Sequence, residues 1–262
     1  MTESETTSAR SIAARLRVGA ELGMPPKEIT HGAVSDDILD EPNSRAATDE
    51  LIRALRADRW TPVAWSRFLA RATRRSVWQA LHHRRALLES TALHAGLAAL
   101  AGPRHRTWVM TSWLLTVSHL GMLENRRTLG LANTLTLLRA NLPAVENRLG
   151  NAVPVLALVT DWLDGRIARA TGTETRFGRQ ADFLADTALW TWFTIRHEQN
   201  RLLRAATFAA WGCTVLAITT VSFAGGGMRD IPRSRWIRPA AALQVILGVR
   251  IVRRQITFSR RH

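Results

Sequence analysis

Apolar and polar positions are unevenly distributed along the chain, and their spacing predicts helices. Residues 1–50 are rich in Ser, Thr, Glu, Asp and Pro and lack a hydrophobic run, so we expect short helices at most in a flexible tail. Residues 49–85 repeat apolar side chains at helical spacing with arginines on the other face, which predicts a basic amphipathic helix. From Ala86 onward the apolar runs are regular and cover 86–101, 107–123, 129–145, 152–164, 183–193, 202–224 and 237–252.

The lengths of these runs bear on whether the chain crosses a membrane. Only the run 202–224 reaches the roughly 20 residues that a transmembrane helix needs. The other runs are shorter or contain a charge, although flanking arginines can extend several of them by reaching to the interface. The pattern alone therefore predicts an all-α protein and leaves the number of membrane spans open.

The charge balance narrows the classes of partner. The chain has 36 Lys and Arg residues against 21 Asp and Glu residues, which favours an anionic partner such as nucleic acid, lipid head groups or phosphorylated substrates. Trp and Phe among the arginines of 49–85 are typical of a helix on an anionic membrane surface. A nucleic-acid-binding module is the alternative, but no zinc-ligand spacing, helix-turn-helix or aromatic RNA-binding motif supports it. We therefore expect no nucleic-acid partner.

The stretch 161–186, DWLDGRIARATGTETRFGRQADFLAD, carries the candidate chemistry. Its four aspartates form two pairs, Asp161/Asp164 and Asp182/Asp186. Side chains three or four residues apart share a helix face, so each pair lies on one face if both flanks are helical. The weak helix formers at 171–173 can supply a turn between the flanks. We expect four carboxylates to converge from two antiparallel helices.

Four converging carboxylates repel one another unless a cation neutralises them. Oxygen ligands without clustered His or Cys favour Mg²⁺, Mn²⁺ or Ca²⁺ over zinc. Mg²⁺ usually works with phosphate-bearing substrates, and Arg169 is a suitable partner for a phosphate. The alternative is ordinary Asp–Arg pairing on a solvated surface, against which the apolar neighbours Ile167 and Phe183 argue.

The full pattern also identifies a family. It reads Asp161-x2-Asp164-Gly165-x2-Ala168-Arg169-x8-Gly178-x3-Asp182-x3-Asp186. This resembles the signature of the CDP-alcohol phosphatidyltransferases at every specified position. Upstream, Asn133-x2-Thr136-x2-Arg139 resembles the family's first core helix. The resemblance covers about half of the chain and implies a polytopic membrane bundle of about six helices, here with a polar or amphipathic helical extension at the N-terminus.

The resemblance implies a reaction as well. Members of the family are phosphotransferases that move a phosphatidyl or similar group from a CDP-linked donor to an alcohol and release CMP. It implies CDP-diacylglycerol or a related CDP-alcohol as donor, an alcohol acceptor, Mg²⁺ with Mn²⁺ as an alternative, a lipid bilayer, and a homodimer as an open option. The acceptor stays open among glycerol 3-phosphate, inositol phosphate, serine and an amino alcohol.

The resemblance also implies the roles of particular residues. The metal ligands are Asp161, Asp164, Asp182 and Asp186, and Asp186 also acts as the catalytic base. The residues expected to contact the CDP donor are Asn133, Thr136, Arg139, Gly165, Ala168, Arg169, Thr175 and Gly178. Small residues in this set leave room for a nucleotide near the backbone.

These expectations divide the chain into four parts. We expect a polar, Arg-rich extension at 1–85, an additional apolar helical hairpin at 86–128, the transferase core at 129–253 and a basic tail at 254–262. The interval from Arg139 to Asp161 is short for the family, so the first two core helices must be short or steeply tilted. The arginine-bearing loops at 126–127, 166–179 and 229–238 alternate onto one side of the predicted helices. The positive-inside rule makes that side cytoplasmic, so we expect a cytoplasmic active site in an integral cell-membrane protein.

Two alternatives to the enzyme remain open. One is a catalytically inactive membrane scaffold with the same fold, which the intact set of four aspartates argues against, because buried carboxylates without a metal destabilise a fold. The other is a soluble Arg-rich nucleic-acid-binding protein with an acidic metal site. Extraction without detergent would favour the latter.

Overall fold

The computed structural model describes residues 36–228 and Arg250. Every regular element in these residues is helical, which confirms the predicted all-α class. The α-helices are α1 Ser44–Ala57, α2 Pro62–His82, α3 Arg84–Leu100, α4 Arg106–Ser118, α5 Gly130–Ala140, α6 Leu142–Leu149, α7 Val153–Ala170, α8 Arg176–His197 and α9 Arg201–Gly225. Short 3₁₀ turns occupy Asp36–Leu39, Pro103–His105, Leu120–Leu123 and Gly150–Ala152. The predicted run 237–252 and the basic tail lie outside the described residues, apart from Arg250.

The segment 49–85 forms two helices where the sequence pattern predicted one. Arg59 and Trp60 adopt positive φ angles of 52° and 59°, which ends the helical path after α1. Thr61 then caps α2 by accepting a hydrogen bond from the Ala64 amide at 3.2 Å, and Pro62 occupies the first helical turn. Thr61 and Pro62 therefore start a new helix within a stretch whose amphipathic pattern is otherwise continuous.

Arg75 corrects a second expectation, that the arginines of this segment decorate the polar face. Its side chain is buried and donates to the backbone carbonyl oxygens of Ile38, Leu39 at 3.2 Å and Glu41 at 2.7 Å. A buried guanidinium needs such partners, because leaving its donors unpaired is costly. Arg75 thus ties the turn before α1 to the middle of α2.

Two apolar clusters hold the helices together around the region of the signature. One joins α6, α7, α8 and α9 and contains Leu142, Val153, Ala157, Leu189, Trp190, Phe193 and Trp211. The other joins the helices before the core to α5 and α8 and contains Ala80, Ala86, Leu120, Leu123, Leu129, Leu137 and Phe177. Because α8 contributes to both clusters, it is anchored before Asp182 by Phe177 and after Asp186 by Leu189, Trp190 and Phe193.

The run 129–145 is divided at Asn141 into α5 and α6. Asn141 is buried, and its Nδ2 donates to the Leu137 carbonyl oxygen at 2.9 Å and to Ser112 Oγ at 2.9 Å. Pro143 then starts α6. At 11 and 8 residues, these two helices are short, as the short interval before Asp161 requires.

Among the described residues, α9 is the one helix that is both long and apolar enough to cross a membrane. It has 25 residues, and only 11% of its most apolar window is buried. At 1.5 Å per residue it spans about 38 Å, more than the hydrocarbon thickness of a bilayer. Most of its surface faces outward, unlike the buried core helix of a soluble protein.

Candidate active site between helices α5, α7 and α8

The structure places the four aspartates on two successive helices, as the spacing predicts. Asp161 and Asp164 lie on α7, and Asp182 and Asp186 lie on α8. Gly172, with φ of 59°, makes the turn between the helices. Thr175 caps α8 by accepting a hydrogen bond from the Gly178 amide at 2.9 Å. Gly172 and Thr175 therefore form the turn and the helix start that place the two pairs of carboxylates opposite each other.

One arginine from α5 lies among all four carboxylates. Arg139 is only 1% exposed. Its Nη1 lies 2.8 Å from Asp161 Oδ1 and 3.0 Å from Asp164 Oδ2, its Nη2 binds Asp182 Oδ1, and its Nε lies 3.2 Å from Asp186 Oδ1. The family pattern led us to expect Arg139 at the donor nucleotide, whereas the structure places it at the centre of the acidic cluster. A buried Arg in an apolar helix is a signal for such pairing, although it does not identify the partners.

The four carboxylates differ in exposure. The Asp161 and Asp182 side chains are 49% and 48% exposed, whereas the Asp164 side chain is 8% exposed. Thr136 Oγ1 also donates to Asp164 Oδ2 at 2.7 Å, so α5 holds this carboxylate with two residues. The site is therefore closed on the Asp164 side and open on the side of Asp161 and Asp182.

The acidic cluster fits a divalent cation. Carboxylate oxygens of Asp161, Asp182 and Asp186 all lie within 4.8 Å of one another. Oxygens that share one Mg²⁺ at about 2.0–2.1 Å are at most about 4.2 Å apart, so a small side-chain adjustment suffices. The single guanidinium of Arg139 offsets one of four negative charges, and the remainder favours a hard cation. Asp164, whose Oδ2 is already held by Thr136 and Arg139, stays a predicted ligand.

A cavity beside the cluster gathers the other residues of the pattern. It has a volume of about 130 Å³ and lies between α5, α7 and α8. Its lining includes the predicted donor contacts Asn133, Thr136, Gly165, Ala168, Arg169, Thr175 and Gly178. Asp164 and Asp182 also line it, as do Glu174 and Arg179, which were not predicted as donor contacts. All the predicted donor contacts except Arg139 therefore surround one space, which we call the donor cavity.

The two glycines of the pattern lie at close approaches within the protein, and the approach is closer at Gly178. A Cβ on Gly178 would lie 2.6 Å from Asn133 Oδ1 and 3.1 Å from Thr175 Oγ1. A Cβ on Gly165 would lie 3.1 Å from Arg169 Nη1. Gly178 lets α8 approach α5, and Gly165 leaves room for the Arg169 guanidinium beside its own helix. These packing reasons differ from the expected one, in which the glycines make room for a nucleotide.

We predict that Gly178→Ala separates α5 from α8 and weakens the site. Asn133 cannot easily yield, because its Nδ2 donates to the Leu129 carbonyl oxygen at 2.7 Å. The overlap should lower the free energy of unfolding by about 1–3 kcal/mol. Thermal unfolding of the purified protein measures this.

The matched control for that variant is Gly96→Ala, because a Cβ there meets no atom within 4 Å. It should leave stability unchanged or raise it slightly, since Ala favours a helix over Gly. Equal unfolding temperatures for the two variants would show that α8 does not need the close approach at Gly178.

Comparison with known families agrees with this geometry. The family model described as CDP-alcohol phosphatidyltransferase matches residues 129–258, which include α5 to α9 and every predicted site residue. The curated proteins and the solved structures give no significant match. The family consists of phosphotransferases of lipid biosynthesis that use a CDP-alcohol and a divalent metal. Through its domain at residues 129–258, the chain belongs to the CDP-alcohol phosphatidyltransferase family.

Proposed function

We propose that the protein transfers a phosphatidyl group from CDP-diacylglycerol, or a related CDP-alcohol, to an alcohol acceptor and releases CMP in phospholipid biosynthesis. One observation carries this proposal: four aspartates from α7 and α8 converge on one buried arginine, and two of them, Asp164 and Asp182, line the donor cavity. The arrangement provides carboxylates for cations, a guanidinium at Arg169 for phosphate, and a space beside both.

The donor cavity suits part of a nucleotide. Its volume of about 130 Å³ is below the range of about 300–1,000 Å³ typical of complete ligand pockets. We propose that part of the CDP moiety enters it and that the diphosphate lies over the exposed carboxylates Asp161 and Asp182. Arg169 and Arg179, which line the cavity, are placed to contact phosphate oxygens.

Asp161, Asp182 and Asp186 would hold Mg²⁺, or Mn²⁺ in its place. The ion would supply positive charge that neutralises the donor diphosphate and lets an alcohol oxygen approach the phosphorus. Arg139 holds the same carboxylates in one orientation, so the ligand set is assembled before the substrate arrives.

Asp186 is the proposed general base. It would take the proton of the acceptor hydroxyl while that oxygen bonds to the β-phosphorus and the bond from this phosphorus to the bridging oxygen breaks, which releases CMP. Asp186 Oδ1 lies 3.2 Å from Arg139 Nε, which holds the carboxylate in place at the site, and a general base must be within reach of the proton that it accepts. Its side chain is 16% exposed, which limits access of bulk water.

The proposal includes a bundle of about six membrane-spanning helices. Large apolar side chains are exposed on several helices besides α9, which is typical of a lipid-facing surface. They include Met110, Leu114, Leu115, Leu131, Leu158, Val159, Leu184 and Ile195. Because α5 is short and the helices of the site carry charged residues, these helices are less apolar than a typical transmembrane helix.

We also propose that the active site faces the cytoplasm. Arg126 Nη2 donates to the Gly172 carbonyl oxygen at 3.0 Å, so two arginine-bearing turns lie at the same end of the helices. Positive residues concentrate on the cytoplasmic side of membrane proteins. CMP could then leave directly into the cytoplasm.

The structure weakens one argument against the alternative of an inactive membrane scaffold. Arg139 neutralises part of the acidic cluster without a metal, so the four aspartates are a weaker argument for catalysis than the sequence suggested. Three negative charges remain unbalanced by Arg139, and two of the carboxylates face an opening. Both features favour a working metal site.

We predict that Arg139→Gln makes the protein dependent on divalent cations for stability. Removing one member of a buried ion-pair network costs about 3–5 kcal/mol, because the remaining like charges repel one another. Mg²⁺ should restore more stability to this variant than it adds to the wild type. Thermal unfolding in EDTA and in Mg²⁺ measures both effects.

Arg196→Gln is the matched control, because Arg196 is on α8 but pairs at 3.5 Å with Glu146 and is 62% exposed. A surface pair of this kind contributes less than about 1 kcal/mol. If Mg²⁺ stabilised Arg139→Gln no more than the control, the acidic cluster would not be a cation site.

We predict that Asp186→Asn abolishes turnover and leaves the protein folded. Asn keeps the shape of the side chain but cannot take the acceptor proton, and a general base contributes about 100-fold or more. CMP release from CDP-diacylglycerol measures turnover, and the unfolding temperature measures folding. Asp58→Asn, at a surface pair with Arg67, should keep full activity. Full activity of Asp186→Asn would remove Asp186 as the base.

A further inference from the structure

A second charged cavity lies away from the aspartates. It has a volume of about 410 Å³ and is formed where α2 ends, α3 begins and the turn at 124–127 passes between them. Its basic lining consists of His82, His83, Arg84, Arg85, Arg126 and Arg127. We call it the basic pocket. None of these residues belongs to the family signature, and all six precede the matched domain at 129–258.

Positive charge dominates the basic pocket. Asp40 and Glu124 are the acidic residues that line it. Asp40 Oδ1 accepts a hydrogen bond from Trp78 Nε1 at 3.0 Å, and Glu124 Oε1 lies 3.4 Å from Arg176 Nε. Within residues 36–228, the side chains of Arg84, Arg85 and Arg127 have no hydrogen-bond or ion-pair partner. Four guanidinium groups thus surround a space whose two carboxylates are engaged with other groups.

The position of two arginines adds to this imbalance. Arg84 and Arg85 form the first turn of α3, which has no acidic residue and no side-chain cap. The N-terminus of a helix carries a partial positive charge, so cations there are unfavourable and anions are favourable. An anion in the pocket would relieve both the repulsion between arginines and the unfavourable contact with the helix end.

The walls of the basic pocket are fixed. His83 Nδ1 lies 2.8 Å from the Gln79 carbonyl oxygen, and its Nε2 lies 3.0 Å from the Glu124 carbonyl oxygen. The Ala86 amide donates to the Arg127 carbonyl oxygen at 3.2 Å. These bonds join α2, α3 and the turn at 124–127, so the backbone segments that carry the arginines are held near one another without a ligand. Preorganisation of this kind lowers the cost of binding.

The basic pocket lies at the same end of the helices as the active site. It shares Glu124, Asn125 and Arg126 with a polar cavity of about 350 Å³. That cavity in turn shares Thr175 and Arg179 with the donor cavity. The polar cavity therefore lies between the donor cavity and the basic pocket and shares lining residues with both.

We propose that the basic pocket is a separate binding site for a phosphate group, either free phosphate or the phosphate of an anionic lipid head group. Guanidinium groups bind phosphate oxygens through paired N–H donors, which makes phosphate a better match than a single carboxylate. The volume admits a phosphate together with the head group that carries it. The site is independent of the proposed transfer reaction, because it contains none of its residues.

The test uses the full-length protein in detergent with EDTA, so that cations cannot hold phosphate at the aspartates. One arm titrates inorganic phosphate against chloride at constant ionic strength. The other adds short-chain phosphatidic acid, compared with phosphatidylcholine of the same chain length. Binding is followed as a saturable rise in the thermal unfolding temperature.

The variant is Arg84→Gln with Arg85→Gln, and the control is Arg71→Gln with Arg74→Gln, which removes the same charge from α2 outside the basic pocket. We expect the pocket variant to bind at least about tenfold more weakly, the loss that follows from removing one charge-assisted hydrogen bond. We also expect it to be more stable than the wild type without an anion, because repulsion is relieved. The control should bind like the wild type.

The two arms distinguish the sources of the phosphate. Saturation by both ligands would identify a general phosphate site, and saturation by phosphatidic acid alone would identify a lipid head-group site. No saturable effect in either arm would overturn the proposal, and so would an equal loss of binding in the control. Loss of CMP release in the pocket variant would place the pocket within the reaction and overturn its independence.

Discussion

The interaction on which the site depends is the contact of one buried guanidinium with four carboxylates. Arg139 comes from α5, and the aspartates come from α7 and α8, so the cluster forms only when all three helices are packed. Without the arginine, four like charges would oppose that packing, and without the aspartates, a buried arginine would do so. The same contact that permits the fold therefore orients the proposed metal ligands and leaves net negative charge that favours a cation.

Much of the site could be predicted from the sequence, because it depends on residues that are close together in the chain. The spacing of the aspartates places each pair on one helix face, and the weak helix formers after Ala170 mark the turn. The family resemblance assigned Arg139 to the donor nucleotide. Its contacts with the aspartates were not predicted, because these partners lie 22 to 47 residues away and no local pattern reveals them. The packing role of Gly178 was missed for the same reason, since it depends on Asn133 from another helix.

The helices before the core show where patterns of hydrophobicity mislead. The segment 49–85 has continuous helical periodicity, but Thr61 and Pro62 start a new helix within it. Arg75 lies on the arginine-rich face and yet is buried against the carbonyl oxygens of a preceding turn. Among residues 36–228, α9 alone is both long and apolar enough to cross a membrane. Helices that carry charged residues to a polar site score low on hydropathy whether or not they cross a membrane.

The most direct test of the account is CMP release by membranes that contain the protein. The assay supplies CDP-diacylglycerol, Mg²⁺ and a panel of acceptors comprising glycerol 3-phosphate, inositol phosphate, serine and amino alcohols. We expect release that depends on one acceptor class and disappears in Asp182→Ala. Release that persists in Asp182→Ala would contradict the role of the acidic cluster, and the absence of release with every acceptor would contradict transfer from CDP-diacylglycerol.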